Sequence, residues 1–404
     1  MHRNLGIYGQ LWAVRNLSKQ LYTYLLGAFF IAANVTGYAD APQTNVAVSK
    51  ATVASVQVKP QFATLLMKGP NLNREYGIGV AAPFCGIAKD TLVMAGGYNY
   101  PANTIGQNTT KRFYKDIYGA TLQPSKKKLT WKKIAELPEA LASGSTVASK
   151  DALYFIGGSD AKGDKATCVE LKFENNAWRC DTISWLPVLI SNHGSACIGD
   201  YIYVVGGLQN GKASADMYRM NLKGDRKKWE KLPAVPEDCR IQPIVTAQKD
   251  TSGKEQLYIW SGFNGWGKEA GLICGGYKYN PETRKWTGLG APLKNEKRVY
   301  LGGGGAVAID DDKIIAVGVF NYGVLLNSLR SNPADFNSHP VEWYKHNKEV
   351  YCFNTKTNKW SALGEGISLG TVHAGLVVSN NAVYNISGEI KPGTNTNVVT
   401  RLNF

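Results

Sequence analysis

The sequence predicts an all-β propeller of six blades, and three observations support that prediction. The 404 residues include 43 glycines and 21 tyrosines, with little of the Ala, Leu and Glu periodicity that amphipathic helices need. A short apolar strand followed by Gly-Gly, or by a pair related to it, occurs six times. A hairpin that carries an aromatic residue and a tryptophan follows most of these pairs. Repetition of this kind indicates a closed ring that can use the whole length of the chain.

The six repeat strands share an apolar run that ends at the Gly-Gly pair or its relative. They are Thr91–Ala95, Leu153–Ile156, Ile202–Val205, Leu257–Trp260, Ile314–Val317 and Val383–Ile386. Counted to the second residue of each pair, at positions 97, 158, 207, 262, 319 and 388, the steps run from 49 to 69 residues. Kelch repeats have a period of about 50 residues. We therefore predict one kelch-type propeller domain over residues 59–404.

The second repeat signal is a hairpin in which an aromatic residue, a polar turn and a tryptophan follow one another. Clear copies are Tyr279–Trp286 and Phe353–Trp360. The equivalent tryptophans of the first three repeats are Trp131, Trp178 and Trp229. In a propeller this tryptophan fills the gap between neighbouring blades. The sixth repeat lacks the hairpin, so we predict that Lys59–Leu66 joins the last blade and closes the ring, which removes the open edges.

The first 39 residues have the features of a secretory signal peptide. Positive charges precede an apolar run from Leu21 to Val35, and small residues follow up to Ala39. The run is short for a membrane span, with an uncleaved anchor as the alternative. Residues 40–58 are small and polar, and we interpret them as a flexible leader. These features predict a periplasmic protein that has no stable membrane association once the signal is removed.

Charge and composition narrow the class of ligand. The formal net charge is +15, and residues 1–39 hold three basic residues and no acid, so the mature chain would carry +12. A basic surface suits an anionic ligand, nucleic acid or an acidic polysaccharide. No basic run interleaved with aromatic residues stands out, which disfavours nucleic acid. The run Gly302–Gly305 falls at an inner strand with no Lys-Ser/Thr after it, which disfavours nucleotides.

Chemistry-bearing residues fall at strand ends that would face one mouth of the central channel. In a blade of four antiparallel strands, the loop after the second strand and the loop before the first lie on the same face. Glu389 lies on a loop of the first kind. Loops of the second kind carry Arg240, Gln242, Arg298, His193 and His373. We expect these residues to converge there, beneath the long segments Tyr98–Lys111 and Phe320–His346.

Two motifs connect the chain to a known family. The last repeat carries Gly388-Glu389-Ile390-Lys391-Pro392-Gly393, and Arg240-Ile241-Gln242 precedes another repeat. In these motifs the chain resembles the N-acetylneuraminate epimerase family, the bacterial sialic acid mutarotases, whose corresponding loop reads Gly-Glu-Ala-Lys-Pro-Gly. In typical family chains this blade lies well before the end, whereas here it is the last. The chain is therefore similar to a cyclically permuted branch of that family.

The resemblance implies an isomerase that interconverts the α and β anomers of N-acetylneuraminate, and we predict no cofactor and no metal site. The motif glutamate is taken as the proton acceptor in the family, so Glu389 inherits that role by direct match. The family has an arginine two residues after the second motif glycine, where this chain has Asn395. Opening and reclosing the sugar ring also needs an acid for the ring oxygen. His373 is the candidate, because histidine exchanges protons near neutrality.

The carboxylate of a sialic acid calls for arginine, which can bind it bidentately. Arg240 is the first candidate and Arg298 the second, although a salt bridge between blades is a competing interpretation of Arg240. The predicted substrate-binding set is completed by Gln242, Lys391 and Asn395. A non-catalytic kelch propeller that binds an acidic glycan or a protein partner is the alternative function, because fold does not determine function. A copper oxidase ranks last, since no clear Tyr, Cys and His ligand set is present.

Overall fold

The computed structural model describes residues 61–66, 73–101, 110–122, 129–150, 152–224, 228–318 and 320–404. The predicted signal peptide (1–39) and leader (40–58) lie outside the described residues, as does Lys59. Antiparallel strands dominate the described part of the chain, which contains one α-helix, α1 (Tyr322–Ser331), and two 3-10 turns, Tyr76–Ile78 and Val341–Tyr344. The all-β prediction is therefore confirmed.

The first part of the chain contributes strands β1 to β16. They are β1 (Gln61–Leu66), β2 (Phe84–Ala88), β3 (Thr91–Ala95), β4 (Tyr98–Asn99), β5 (Arg112–Phe113), β6 (Asp116–Thr121), β7 (Lys132–Glu136), β8 (Ser145–Ser149), β9 (Ala152–Ile156), β10 (Ser159–Asp160), β11 (Gly163–Glu174), β12 (Ala177–Ser191), β13 (Gly194–Ile198), β14 (Tyr201–Val205), β15 (Leu208–Gln209) and β16 (Lys212–Ala213).

The remainder contributes strands β17 to β33. They are β17 (Met217–Asn221), β18 (Trp229–Leu232), β19 (Ile244–Lys249), β20 (Glu255–Trp260), β21 (Gly276–Asn280), β22 (Lys285–Leu289), β23 (Leu293–Lys294), β24 (Lys297–Arg298), β25 (Gly305–Ile309), β26 (Lys313–Val317), β27 (Glu349–Asn354), β28 (Lys359–Glu365), β29 (Gly375–Ser379), β30 (Ala382–Ile386), β31 (Glu389–Lys391), β32 (Thr394–Asn395) and β33 (Val398–Asn403).

These strands pair into antiparallel four-stranded units arranged as a β-propeller. The strand orders are β2-β3-β6-β7, β8-β9-β11-β12, β13-β14-β17-β18, β19-β20-β21-β22, β25-β26-β27-β28 and β29-β30-β33-β1, the second of which extends into β15-β16. The first strand of each unit contacts the first strand of the next, so these strands lie innermost. Strand β1 pairs with β33, with Gln61 opposite Asn403 and Leu66 opposite Val398.

All six predicted repeat strands are present as the second strands of these units. Strands β9 and β30 are buried at every position, because both of their faces pack against neighbouring sheets. In five of the six repeats the first residue of the following pair adopts the left-handed conformation, with φ of 59° at Gly96, Ser261 and Ser387; Gly318 of the fifth repeat does not. A Cβ on Gly96 would lie 2.3 Å from the carbonyl oxygen of Leu141, so close approach also requires glycine there.

Serine can replace that glycine where its hydroxyl compensates by hydrogen bonding. Ser387 Oγ accepts the Val80 N–H at 2.8 Å and reaches the Thr396 carbonyl at 2.9 Å. Ser261 Oγ likewise accepts the Leu301 N–H at 2.9 Å. In both cases the hydroxyl ties its sheet to backbone outside that sheet. This explains why the Gly-Gly signal degenerates in these two repeats without loss of the turn.

The hairpin tryptophans lie between sheets, as predicted. Trp131 is fully buried in a core cluster that includes residues of both β3 and β30. Trp229 Nε1 donates to Ser184 Oγ of the preceding sheet at 3.1 Å. Trp360 packs 4.9 Å from Trp260, ring centre to ring centre. These contacts join neighbouring sheets through large apolar side chains.

Two further findings concern the cysteines and possible membrane spans. All seven cysteines are unpaired. Within the described residues, no helix combines the length and the hydrophobicity that a membrane crossing requires.

Candidate active site

A closed ring of backbone hydrogen bonds runs across one end of the innermost strands. Each member lies two residues before an innermost strand, and its N–H donates to the carbonyl of the member before it, at 2.7 to 3.1 Å. The members are Ala82, Ser143, Asn192, Gln242, Gly303 and His373. All six have φ between 50° and 72°. This cyclic hydrogen bonding fixes the backbone positions from which the side chains at this mouth extend.

Three neighbouring polar side chains of this ring form a row. Gln242 Nε2 donates to Asn192 Oδ1 at 3.3 Å and lies 2.8 Å from His373 Nε2. An amide N–H can only donate, so His373 Nε2 is the acceptor and the proton of the neutral imidazole is on Nδ1. The structure thus brings two of the predicted site residues into direct contact and sets the tautomer of one of them.

Glu389 lies at the end of this row. Its backbone N–H and carbonyl both bond to Val372 at 2.9 Å, which fixes β31 beside the segment that leads to β29. Its Oε2 lies 3.4 Å from His373 Nδ1 and accepts the Tyr98 hydroxyl at 3.4 Å, while Oε1 accepts the Gly393 N–H at 3.1 Å. Glu389 is only 5% exposed. The carboxylate is thus buried, oriented by two donors and next to an imidazole N–H.

The Nδ1 atom of His373 is buried and makes no hydrogen bond to any described residue. It lies beside Glu389 Oε2 without the geometry of a hydrogen bond. A ligand oxygen placed between the two could accept from Nδ1–H and give a proton to the carboxylate. The site therefore contains an adjacent donor and acceptor with unused hydrogen-bonding capacity.

Arg240 is positioned differently from the other members of the predicted site. It is 2% exposed, its Nη1 donates to the carbonyls of Ser261 at 3.1 Å and Gly275 at 2.9 Å, and its guanidinium lies 5.4 Å from the centre of the Tyr277 ring. Its hydrogen-bond partners are carbonyl groups, so these contacts fit a structural role. Its assignment to a substrate carboxylate stays a prediction.

The remaining predicted binding residues occupy three separate environments. Arg298 is exposed on the hairpin of β23 and β24. Lys391 Nζ donates to the carbonyl of His339 at 3.1 Å, so the segment 320–346 does approach the motif loop. Asn395 is 4% exposed on β32 and pairs with Glu389. Lys391 and Asn395 thus lie on the same hairpin as Glu389. The contacts of Arg298, in contrast, do not connect Arg298 to Glu389, His373 or Gln242.

His193 is a buried histidine whose contacts indicate a structural role. Its Nε2 lies 2.7 Å from Ser145 Oγ, and burial lowers the pKa of His193 to about 3. The unfolded chain has the ordinary value near 6.5. The stability that neutral His193 contributes is complete above about pH 6.5 and is lost as the pH falls towards 3.

We therefore expect His193→Gln, whose amide can still reach Ser145, to reduce the acid sensitivity of the fold. Between about pH 6 and pH 4 the free energy of unfolding of the wild type should fall more steeply than that of the variant, by up to about 1.4 kcal/mol per pH unit. Urea unfolding at several pH values measures both slopes. Parallel slopes would show that His193 does not titrate in this way.

Comparison with known proteins gives a family for this architecture. The family model described as N-acetylneuraminate epimerase matches residues 184–404, more than half of the chain. The chain belongs to the N-acetylneuraminate epimerase family. The match includes Glu389, His373 and Gln242, together with the motif loop Gly388–Gly393.

Curated relatives agree with this membership in the N-acetylneuraminate epimerase family, and a solved structure shares the fold. The N-acetylneuraminate epimerase of Salmonella paratyphi B is 27% identical over 251 residues, which are 58% of this chain and 62% of that protein. That of Haemophilus influenzae is 28% identical over 226 residues, 52% of this chain and 56% of that one. The chain thus spans about three fifths of the length of these curated relatives. A structure described as "Structure of YjhT" shares the fold, with a TM-score of 0.57 and 16% identity, over 83% of this chain and 95% of that one.

Two residues near Glu389 were missed as site residues by the sequence analysis of this family member. Tyr98 contacts Glu389 through its hydroxyl, and Lys111 lies over the Tyr98 ring. Both mark the ends of a segment that was predicted to overhang the mouth. The predicted position of this segment pointed to the site, but nothing in the sequence distinguished Tyr98 and Lys111 from the rest of the segment.

Proposed function

We propose that the protein is a sialic acid mutarotase, an isomerase that equilibrates the α and β anomers of N-acetylneuraminate. The observation that carries the proposal is the buried Glu389 carboxylate on the Gly-Glu-x-Lys-Pro-Gly loop, 3.4 Å from the free N–H of His373. Membership of the N-acetylneuraminate epimerase family supports the same activity.

In the proposed reaction, Glu389 takes the proton of the anomeric hydroxyl. The electrons of that O–H bond form the C2 carbonyl as the bond from C2 to the ring oxygen breaks. His373 Nδ1–H donates a hydrogen bond to the ring oxygen as negative charge develops on it, and Glu389 then returns the proton to that oxygen. Rotation of the open chain and the reverse steps on the other carbonyl face give the second anomer. A neutral imidazole is a poor donor of a whole proton, which is why His373 acts here through a hydrogen bond.

We also propose that the fold is one closed ring of six blades, completed by β1 in the last blade, and that the chain order is a cyclic permutation of the typical family order. The closed ring of six backbone hydrogen bonds and the pairing of β1 with β33 support the closure of the propeller. The position of the motif loop in the last repeat supports the permutation.

Placing the protein in the periplasm is likewise a proposal, which rests on residues 1–39. N-terminal sequencing of the protein from a periplasmic extract tests it.

The activity is tested by NMR exchange on N-acetylneuraminate. The pure α anomer is released by a sialidase, and its conversion to β is followed with and without the protein. We expect catalytic amounts to accelerate the conversion. Binding of the sugar without acceleration would favour the alternative, a propeller that binds an acidic glycan. Neither acceleration nor binding would direct the search to other acidic sugars or to a protein partner.

A further inference from the structure

Lys111 lies close to the proposed base. It directly precedes β5, which pairs with β4 through Tyr98 and Phe113. Its Nζ lies 3.5 Å from the centre of the Tyr98 ring and 5.0 Å from that of Phe113. The Tyr98 hydroxyl in turn donates to Glu389 at 3.4 Å. One tyrosine therefore holds an ammonium against its face and a carboxylate at its hydroxyl.

The charge of Lys111 is incompletely compensated. Lys111 is partly buried, and this burial lowers its pKa to about 8 against the opposing effect of Glu389, the one charge of a described residue that offsets it. The two side chains do not approach within the 4.0 Å of an ion pair, and the group beside the Glu389 carboxylate is the imidazole of His373, 3.4 Å away. A cation–π contact offsets only part of the cost of removing a charge from water. An anionic ligand at Lys111 would supply the missing compensation.

The other basic side chains considered for this role are already engaged or lie elsewhere. Arg240 donates to two backbone carbonyls, and Lys391 donates to a third. Arg298 is exposed on a separate hairpin. Lys111, by contrast, shares a direct neighbour, Tyr98, with Glu389.

We propose that Lys111 binds the carboxylate of the 2-keto sugar acid, with Tyr98 holding the ammonium in place. The inference rests on the proposed function. In such an acid the carboxylate and the anomeric hydroxyl are bonded to the same carbon. The base and the cation must therefore be near neighbours that do not form an ion pair with each other. Glu389 and Lys111, on one tyrosine, meet this requirement.

The test is Lys111→Met, which keeps the length and apolar stem of the side chain and removes its charge. We expect KM for N-acetylneuraminate to rise about 10- to 100-fold, the loss typical of a hydrogen bond to a charged group, with a smaller change in kcat. Lys111→Arg should restore most of the affinity. The wild type should also prefer the free acid to its uncharged methyl ester, and Lys111→Met should lose that preference.

Lys89→Met is the matched control, because Lys89 makes a similar contact, 4.8 Å from the centre of the Phe173 ring, without contacting Glu389. It should leave KM unchanged. An intact preference for the acid in Lys111→Met, or a fall in kcat at constant KM, would overturn the inference.

Calorimetric titration with N-acetylneuraminate separates this inference from the proposed function. Wild-type binding that Lys111→Met weakens would support the carboxylate site even if no anomer exchange were accelerated. Binding that is equally strong in both proteins would overturn the site even if exchange were accelerated. Absence of binding by the wild type would overturn it as well.

Discussion

Glu389→Gln is expected to remove most of the acceleration of anomer exchange, by about 100- to 10,000-fold in kcat, the usual contribution of a positioned general base. The amide has nearly the same shape as the carboxylate but cannot take a proton from the anomeric hydroxyl. It can still accept from either Tyr98 or Gly393, so the loop should keep its position. The measurement is the rate of α to β conversion by NMR at saturating substrate.

Two further variants show whether the loss is chemical. Glu389→Asp keeps the acid but withdraws it by one methylene, so it should retain more activity than Glu389→Gln. Glu365→Gln removes an exposed glutamate at the end of the outer strand β28 and should leave the rate unchanged. Full activity of Glu389→Gln would mean that another group is the base and that the assignment of Glu389 from the motif is wrong.

The strands were predictable because their determinants are local. An apolar run such as Leu153–Ile156 is buried on both faces, and the turn after it needs a residue that tolerates a positive φ. Ser261 and Ser387 weaken that signal only slightly, since the hydroxyl of each compensates through a hydrogen bond to backbone. The tryptophan hairpins were predictable for the same reason, because a turn of Asn and Thr between aromatic residues is a pattern of neighbouring positions.

The closed ring of backbone hydrogen bonds was not predictable from the sequence. Its members differ in residue type, and their positive φ arises from cyclic hydrogen bonding between sheets rather than from local preference. The glycine run illustrates the difference. We predicted that Gly302–Gly305 lies in an inner strand, but only Gly305 begins β25, and Gly303 is a member of the ring. Its lack of a side chain leaves room for Phe320 and Gln242, which a Cβ would meet at 2.4 and 3.1 Å.

The site itself was partly predictable. Glu389 came from a motif, and His373 and Gln242 came from their place before an innermost strand, which a repeat fixes. Arg240 also precedes an innermost strand, but it lies two residues before Gln242, the member of the hydrogen-bond ring. Its guanidinium therefore donates to backbone carbonyls. Lys111 depends on the course of a long connection between β4 and β5, and no periodic pattern specifies where such a connection places one side chain.

The largest expected effect on stability is that of Trp260→Ala. Trp260 is fully buried in β20, with its ring 4.8 Å from Phe353 and 4.9 Å from Trp360, both of the next sheet. Its Nε1 and that of Trp360 both donate to the carbonyl of Gly290, each at 3.2 Å. Truncation leaves a cavity between two sheets and should lower the free energy of unfolding by about 3–5 kcal/mol. Urea unfolding measures the change.

Trp185→Ala is the matched control, since Trp185 is 59% exposed and its removal should change the free energy of unfolding by less than about 0.5 kcal/mol. Equal effects of the two substitutions would contradict the view that contacts between sheets stabilise the molecule. In a propeller each sheet is stabilised by the sheets on either side, so weakening the contact between two sheets destabilises the whole cooperative unit. We therefore expect Trp260→Ala to lower the urea midpoint of unfolding that the distant tryptophans report as well. Catalysis by the folded fraction should stay intact at low temperature.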